Sequence, residues 1–136
     1  DKRIINCLHE FGMQLGIAYQ IRDDILGIWG IEAKIGKLKG DISQKKKTLP
    51  VVYGLKNSKG EDRKMLEKLY TQESIQGEDI IKVVRILDGL DARDYAQRLT
   101  EQYYHRALAH LDVAGINTLR QAPLREGSSF LVERDY

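Results

Sequence analysis

Two adjacent carboxylates, Asp23 and Asp24, stand inside the most apolar stretch of the chain, which runs from Asp1 to about Trp29. An ionised carboxylate that loses its water without gaining a partner is costly, so this pair needs compensation. A helix turns roughly 100 degrees per residue, which places Gln20, Asp23, Asp24 and Gly27 on one face at i, i+3, i+4 and i+7. Gly12 and Gly16 extend that face toward the N-terminus. Glycine lets a ligand approach the backbone closely, and the face reads as the wall of a polar cavity. Mg2+ is the natural cation for it, because magnesium takes one or two carboxylates and fills its shell with waters and substrate phosphates. The plainer alternative makes both aspartates partly exposed partners of Arg22 or of a lysine elsewhere.

The next segment changes that balance. Between Gly30 and Thr48 lie six lysines, Lys34, Lys37, Lys39, Lys45, Lys46 and Lys47, with Gly36 and Gly40 among them and no regular apolar period. A lysine run by itself is usually a solvated basic patch. Directly after a carboxylate helix it has a joint use: lysine is a point-charge partner for phosphate oxygens, and a loop can close over a ligand. Cations would bridge a diphosphate to the carboxylates while lysines neutralise the charge of a departing group.

The elements that must position these residues are helical. Pro50 and Pro123 are the two prolines of the chain, and Leu, Ile, Ala, Lys, Arg, Glu and Gln are plentiful, so the fold class is all-α. Ile4, Leu8, Phe11, Leu15, Ala18, Tyr19, Ile25 and Leu26 recur at helical steps and predict one long, buried helix from Asp1 to about Trp29. A basic loop follows over 30–48. Thr48 is expected to cap a helix that carries Pro50 in its first turn and reaches about Lys56. After a turn at 57–60 come a short helix bearing Met65, Leu66, Leu69 and Tyr70, and another begun by Gly77 and running to Leu90. The last two are expected from about Ala92 to Asp112 and from about Ile116 to Arg134.

Composition narrows the class further. The chain has 136 residues, 42% hydrophobic and 31% charged, in the proportions of one globular unit or part of one. A net charge of +2 argues against a nucleic-acid binder that neutralises many phosphates. A lone cysteine, Cys7, excludes an intrachain disulfide and fits a reducing, cytoplasmic setting. No stretch reaches the roughly 18 apolar residues that would span a bilayer. The chain starts at Asp1 with a helical pattern already under way by Ile4 and Ile5, as expected of a piece of something longer.

The run Gly16-Ile17-Ala18-Tyr19-Gln20-Ile21-Arg22-Asp23-Asp24-Ile25-Leu26-Gly27 resembles the second aspartate-rich motif of trans-type polyprenyl diphosphate synthases, G-x-x-F-Q-x-x-D-D-x-x-D. Gly36-Lys37, Gly40-Asp41 and Lys46-Lys47-Thr48-Leu49-Pro50 resemble the family's next elements, with Lys37 fourteen residues after Asp23, Asp41 four further on and Lys46 five beyond that. Tyr19 replaces the usual Phe, and Gly27 stands where the third aspartate is expected. Some bacterial members are similar here, and products in that group include geranylgeranyl and longer diphosphates.

The resemblance implies the C-terminal part of the isoprenoid synthase helical bundle, with residues 1–136 a partial domain. It implies Mg2+ held with an allylic diphosphate by Asp23 and Asp24, diphosphate contacts from Lys37 and Lys46, and Gln20 beside the developing carbocation. Asp41 would organise the loop near the lysines and the metal. The reaction implied is elongation of the allylic diphosphate with isopentenyl diphosphate, by a full-length homodimer. The first aspartate-rich motif and the isopentenyl diphosphate site would precede residue 1, so the isolated chain is expected to be inactive. Two other readings share some of these features: a regulatory subunit of a heteromeric prenyl synthase, and a class I terpene cyclase. A module that binds acidic partners through its lysines is a third, and it would bind without regard to magnesium.

Overall fold

The computed structural model describes residues 1–30 and 40–133. Among them the regular elements are all helical: α1 Lys2–Trp29, α2 Leu49–Asn57, α3 Gly60–Thr71, α4 Glu78–Gly89, α5 Ala92–Ala114 and α6 Thr118–Glu133. The all-α expectation holds, and the helix boundaries fall within two or three residues of those predicted. No described helix is long and apolar enough to cross a membrane. The described residues divide into two compact units, residues 1–22 with 98–133, and residues 23–30 with 40–97.

In the first unit, Phe11 packs with Ala107 and Leu111 of α5, and Leu15 and Leu108 close around them. The α6 helix is tied back by Gln121, whose Nε2 donates to the carbonyls of Leu111 at 2.9 Å and Ile116 at 2.8 Å. Both acceptors lie where the end of one helix and the following turn leave carbonyls without helical partners. Pro123 falls inside α6, where its missing N–H omits one backbone bond. The expectation that α1 is buried around its girth is corrected here. Cys7, Phe11 and Ala18 are buried, while Ile5 and Met13 are 63% and 53% exposed and Ile17 also reaches the surface. One apolar stripe of α1 therefore has no cover among the described residues.

The second unit is built on the last turns of α1, where Ile25, Ile28 and Trp29 are buried. Trp29 Nε1 donates to Asp88 Oδ1 at 2.9 Å, which fixes the end of α1 against α4. The α2, α3 and α4 helices pack on one another through Val51, Leu66, Leu69, Val83, Ile86 and Leu87. Tyr53 of α2 stacks on Tyr95 of α5, with ring centroids 4.2 Å apart. Gly77 enters α4 at φ +56, a conformation that glycine adopts without strain.

Gly54 sits where these three helices meet. A Cβ there would stand 2.5 Å from Leu87 Cδ2 and 3.5 Å from Leu66 Cδ1, and both leucines are fully buried with nowhere to retreat. Gly54→Ala is therefore expected to overpack the junction and destabilise the protein by about 1–3 kcal/mol. Chemical denaturation of the two proteins checks this, and an unchanged midpoint would contradict it.

Candidate functional site

The site grows from the C-terminal turns of α1. Asp24 is 7% exposed, and its Oδ2 accepts a hydrogen bond from the backbone N–H of Leu49 at 3.0 Å. Leu49 is the first residue of α2, so a carboxylate from one helix caps the next. The expectation that Thr48 caps α2 is corrected in part. Thr48 has the extended backbone of a capping residue (φ −68, ψ 165), but its side chain makes no cap bond. Its hydroxyl is buried with no hydrogen-bond partner among the described residues. A carboxylate at a helix N-terminus satisfies an orphan N–H and also meets the positive end of the helix dipole. Asp24 supplies both where a neutral hydroxyl supplies only the first. Asp23, one position earlier, is half-buried.

Residues 40–48 return the chain to the same place as a hydrogen-bonded turn. The Asp41 N–H donates to the Gly27 carbonyl at 3.4 Å, the Lys46 N–H to the Asp41 carbonyl at 2.9 Å, and the Lys45 N–H to the Ile42 carbonyl at 2.9 Å. Ser43 Oγ donates to the Gly40 carbonyl at 2.8 Å. Ile42 is buried beneath the turn, and Lys45, at φ +54, donates from Nζ to the Gln72 carbonyl. This part of the basic segment is thus anchored at several points rather than open. Lys46 Nζ lies 3.7 Å from Asp41 Oδ2 and stays half exposed. A pair at that distance and exposure contributes little stability, and the lysine keeps free donors for an anion.

Electrostatics tie the carboxylates together. The Asp41 carboxyl is held above the ordinary aspartate value, first by burial; Lys46 pulls it down, and the charges of Asp24 and Asp23 push it up. Burial, with a contribution from Asp41, also raises the Tyr70 hydroxyl, which is buried and has no hydrogen-bond partner among the described residues. The negative charge that Asp23 and Asp24 place beside Asp41 makes a setting that a divalent cation relieves. Among the described residues, no group of three His, Cys, Asp or Glu could hold a metal by itself. Asp23 and Asp24 could serve only a cation that takes one or two carboxylates and fills its shell with waters and phosphates, as magnesium does.

A pH effect follows from Asp41. Its folded form keeps the proton to higher pH than the unfolded form, so its contribution to stability falls as pH rises from 3.8 through the raised value. The denaturation midpoint of the wild type should therefore fall relative to that of Asp41→Asn across this interval. A constant or opposite difference would contradict the assignment.

Asp23, Asp24, Asp41 and Lys46, singled out from the sequence, all fall within the second unit. Gln20 lies on α1 one turn before Asp23, exposed and within the first unit. Lys37 lies outside the described residues. Sequence reasoning missed Tyr70, which looks like an ordinary apolar member of α3. It also missed the Asp24 cap, because nothing local marks Leu49 as the partner of a residue on another helix.

Comparison with known proteins places these observations. The profile of the Polyprenyl synthetase family matches residues 1–87. The chain is 35% identical over 109 residues to a geranylgeranyl diphosphate synthase of Sulfolobus acidocaldarius, an alignment that covers 79% of this chain and 33% of that protein. It is likewise 35% identical over 114 residues to heptaprenyl diphosphate synthase component 2 of Bacillus subtilis, covering 82% and 31%. Among solved structures it is similar to geranylgeranyl pyrophosphate synthase from Corynebacterium glutamicum, complexed with isoprenyl diphosphate and magnesium. The TM-score is 0.84 at 28% identity, over 98% of this chain and 38% of that one. The chain thus spans about a third of the length of these curated relatives. With the profile covering well over half of the chain, the chain belongs to the polyprenyl synthetase family.

Proposed function

We propose that the protein carrying this chain is a magnesium-dependent prenyltransferase that elongates an allylic diphosphate with isopentenyl diphosphate. The observation that carries this is the meeting of α1 with the 40–48 turn, which brings the acidic pair, Asp41 and Lys46 into one unit of the fold. The family and the relatives named above agree with it.

Asp23 and Asp24 would hold Mg2+ with the substrate diphosphate, and Mg2+ would supply charge neutralisation for the leaving group. The chain's own residues set the geometry. Asp24 keeps α2 and the Lys46-Lys47-Thr48-Leu49-Pro50 segment against α1. Lys46, with donors beyond its Asp41 contact, meets diphosphate oxygens as the allylic C–O bond breaks, and Lys37 acts from the same segment. Gln20 presents an amide oxygen to the cationic carbon that results. A cytoplasmic homodimer is part of the same proposal.

Incubating the full-length protein with isopentenyl diphosphate, an allylic diphosphate and Mg2+ tests the reading. Longer allylic products are expected, with turnover abolished by chelation of the metal. The isolated 136 residues should give none, since they span about a third of the relatives. A full-length protein without prenyltransfer, or one indifferent to the metal, would refute the reading.

A further inference from the structure

The α3 helix buries Leu66, Leu69 and Tyr70, and of these three side chains Tyr70 alone carries a polar atom. The residue is 9% exposed, and its hydroxyl is buried with no hydrogen-bond partner among the described residues. A hydroxyl taken from water without a partner is costly, and a phenylalanine would complete the same apolar face without that cost. An orphan of this kind in a folded protein calls for a partner.

The surroundings of the hydroxyl indicate which partner. Lys45 donates from Nζ to the carbonyl of Gln72, two residues beyond Tyr70, so the 40–48 turn is drawn onto the end of α3. The backbone of Lys45 is left-handed, at φ +54, a strained conformation for a lysine that the contacts around it have to maintain. Asp41, in the same turn, reaches Tyr70 through its charge, which adds to burial in holding the phenol above its ordinary value. The two are not bonded in the free protein. The Asp41 carboxylate instead faces Lys46, with Nζ 3.7 Å from Oδ2. When Lys46 turns to a diphosphate, as proposed above, Asp41 gives up that contact while the charges of Asp24 and Asp23 still act on it. A half-buried carboxylate left in this way needs another donor. The Tyr70 phenol is a buried donor with no other engagement among the described residues.

We infer that Tyr70 is a positioning residue of the loaded site: as Lys46 passes to the diphosphate, the Tyr70 hydroxyl donates to the Asp41 carboxylate and holds the turn against α3. The inference rests on the diphosphate-binding reading above and adds a residue that lies outside every motif quoted for the family. The bond is missing from the free protein, so it favours the bound state alone, and a ligand can draw a site closed only through such a difference.

The test compares full-length wild type, Tyr70→Phe, Asp41→Asn and the double variant. Inorganic diphosphate is titrated by calorimetry with and without Mg2+, beside melting temperatures of the free proteins. Tyr70→Phe should melt at or above the wild-type temperature, because it deletes an unsatisfied hydroxyl. With Mg2+ it should bind diphosphate about tenfold to a hundredfold more weakly, the effect of one hydrogen bond to a charged group. In the Asp41→Asn background the same substitution should change affinity little, since the charged acceptor is already gone. Tyrosine absorption reports the bond itself. A phenol that gains a charged acceptor absorbs further to the red, so Mg2+ and diphosphate together should give a red shift in the wild type that Tyr70→Phe lacks. Wild-type affinity in Tyr70→Phe, or an equal loss with and without Asp41, would overturn the inference. So would a lower melting temperature paired with wild-type affinity, the mark of a hydroxyl already satisfied in the free fold. A wild type with no magnesium-dependent binding would sink the diphosphate reading and this inference with it; equal binding by wild type and Tyr70→Phe sinks the inference alone.

Discussion

Asp23→Ala in the full-length protein is expected to lower prenyltransfer by about a hundredfold or more, with little change in melting temperature. The loss is of the size seen when one preorganised charge partner of a transition state is removed. The stability effect is small because Asp23 is half-buried rather than buried, and substitutions away from the core seldom cost much. Steady-state kinetics beside a thermal melt check both halves. Activity near that of the wild type would remove Asp23 from the metal site.

Asp24 should behave differently, because it does two jobs. Its carboxylate caps α2 through Leu49 and is a proposed ligand of magnesium. Asp24→Ala removes both, so activity should fall as for Asp23→Ala and stability by about 0.5–2 kcal/mol, the cost of losing a helix cap. Asp24→Asn keeps an oxygen for the Leu49 N–H and loses the charge, so it should retain most of the stability and little of the activity. An asparagine variant with full turnover would make Asp24 a structural residue alone. An alanine variant as stable as the wild type would show that the cap contributes nothing.

Much of this was legible in the sequence for a physical reason. Helices recur at 3.6 residues, so the apolar rows of α1, α4 and α5 marked their own extents, and glycines and prolines marked the breaks. The acidic pair stood out because carboxylates on an apolar helix demand partners. What stayed hidden depends on contacts between residues far apart in the chain. The cap of α2 comes from a helix 25 residues earlier. Thr48 had the right type and place for the task, yet a charged acceptor from elsewhere took the bond. Gly27 showed in the sequence only as a missing aspartate; that the Asp41 carboxylate packs against its Cα needs the fold. The uncovered stripe of α1 has the same origin, since periodicity marks a face as apolar without saying what covers it.

The end of α1 and the turn after it form the proposed magnesium-dependent diphosphate site. Calorimetric titration of inorganic diphosphate into the full-length protein, with Mg2+ and then with chelator, for wild type and Asp23→Ala, tests it most directly. The wild type should bind tightly only with Mg2+, and the variant should lose the magnesium effect. Equal affinity with and without the metal, or a variant that responds to magnesium as the wild type does, would contradict it.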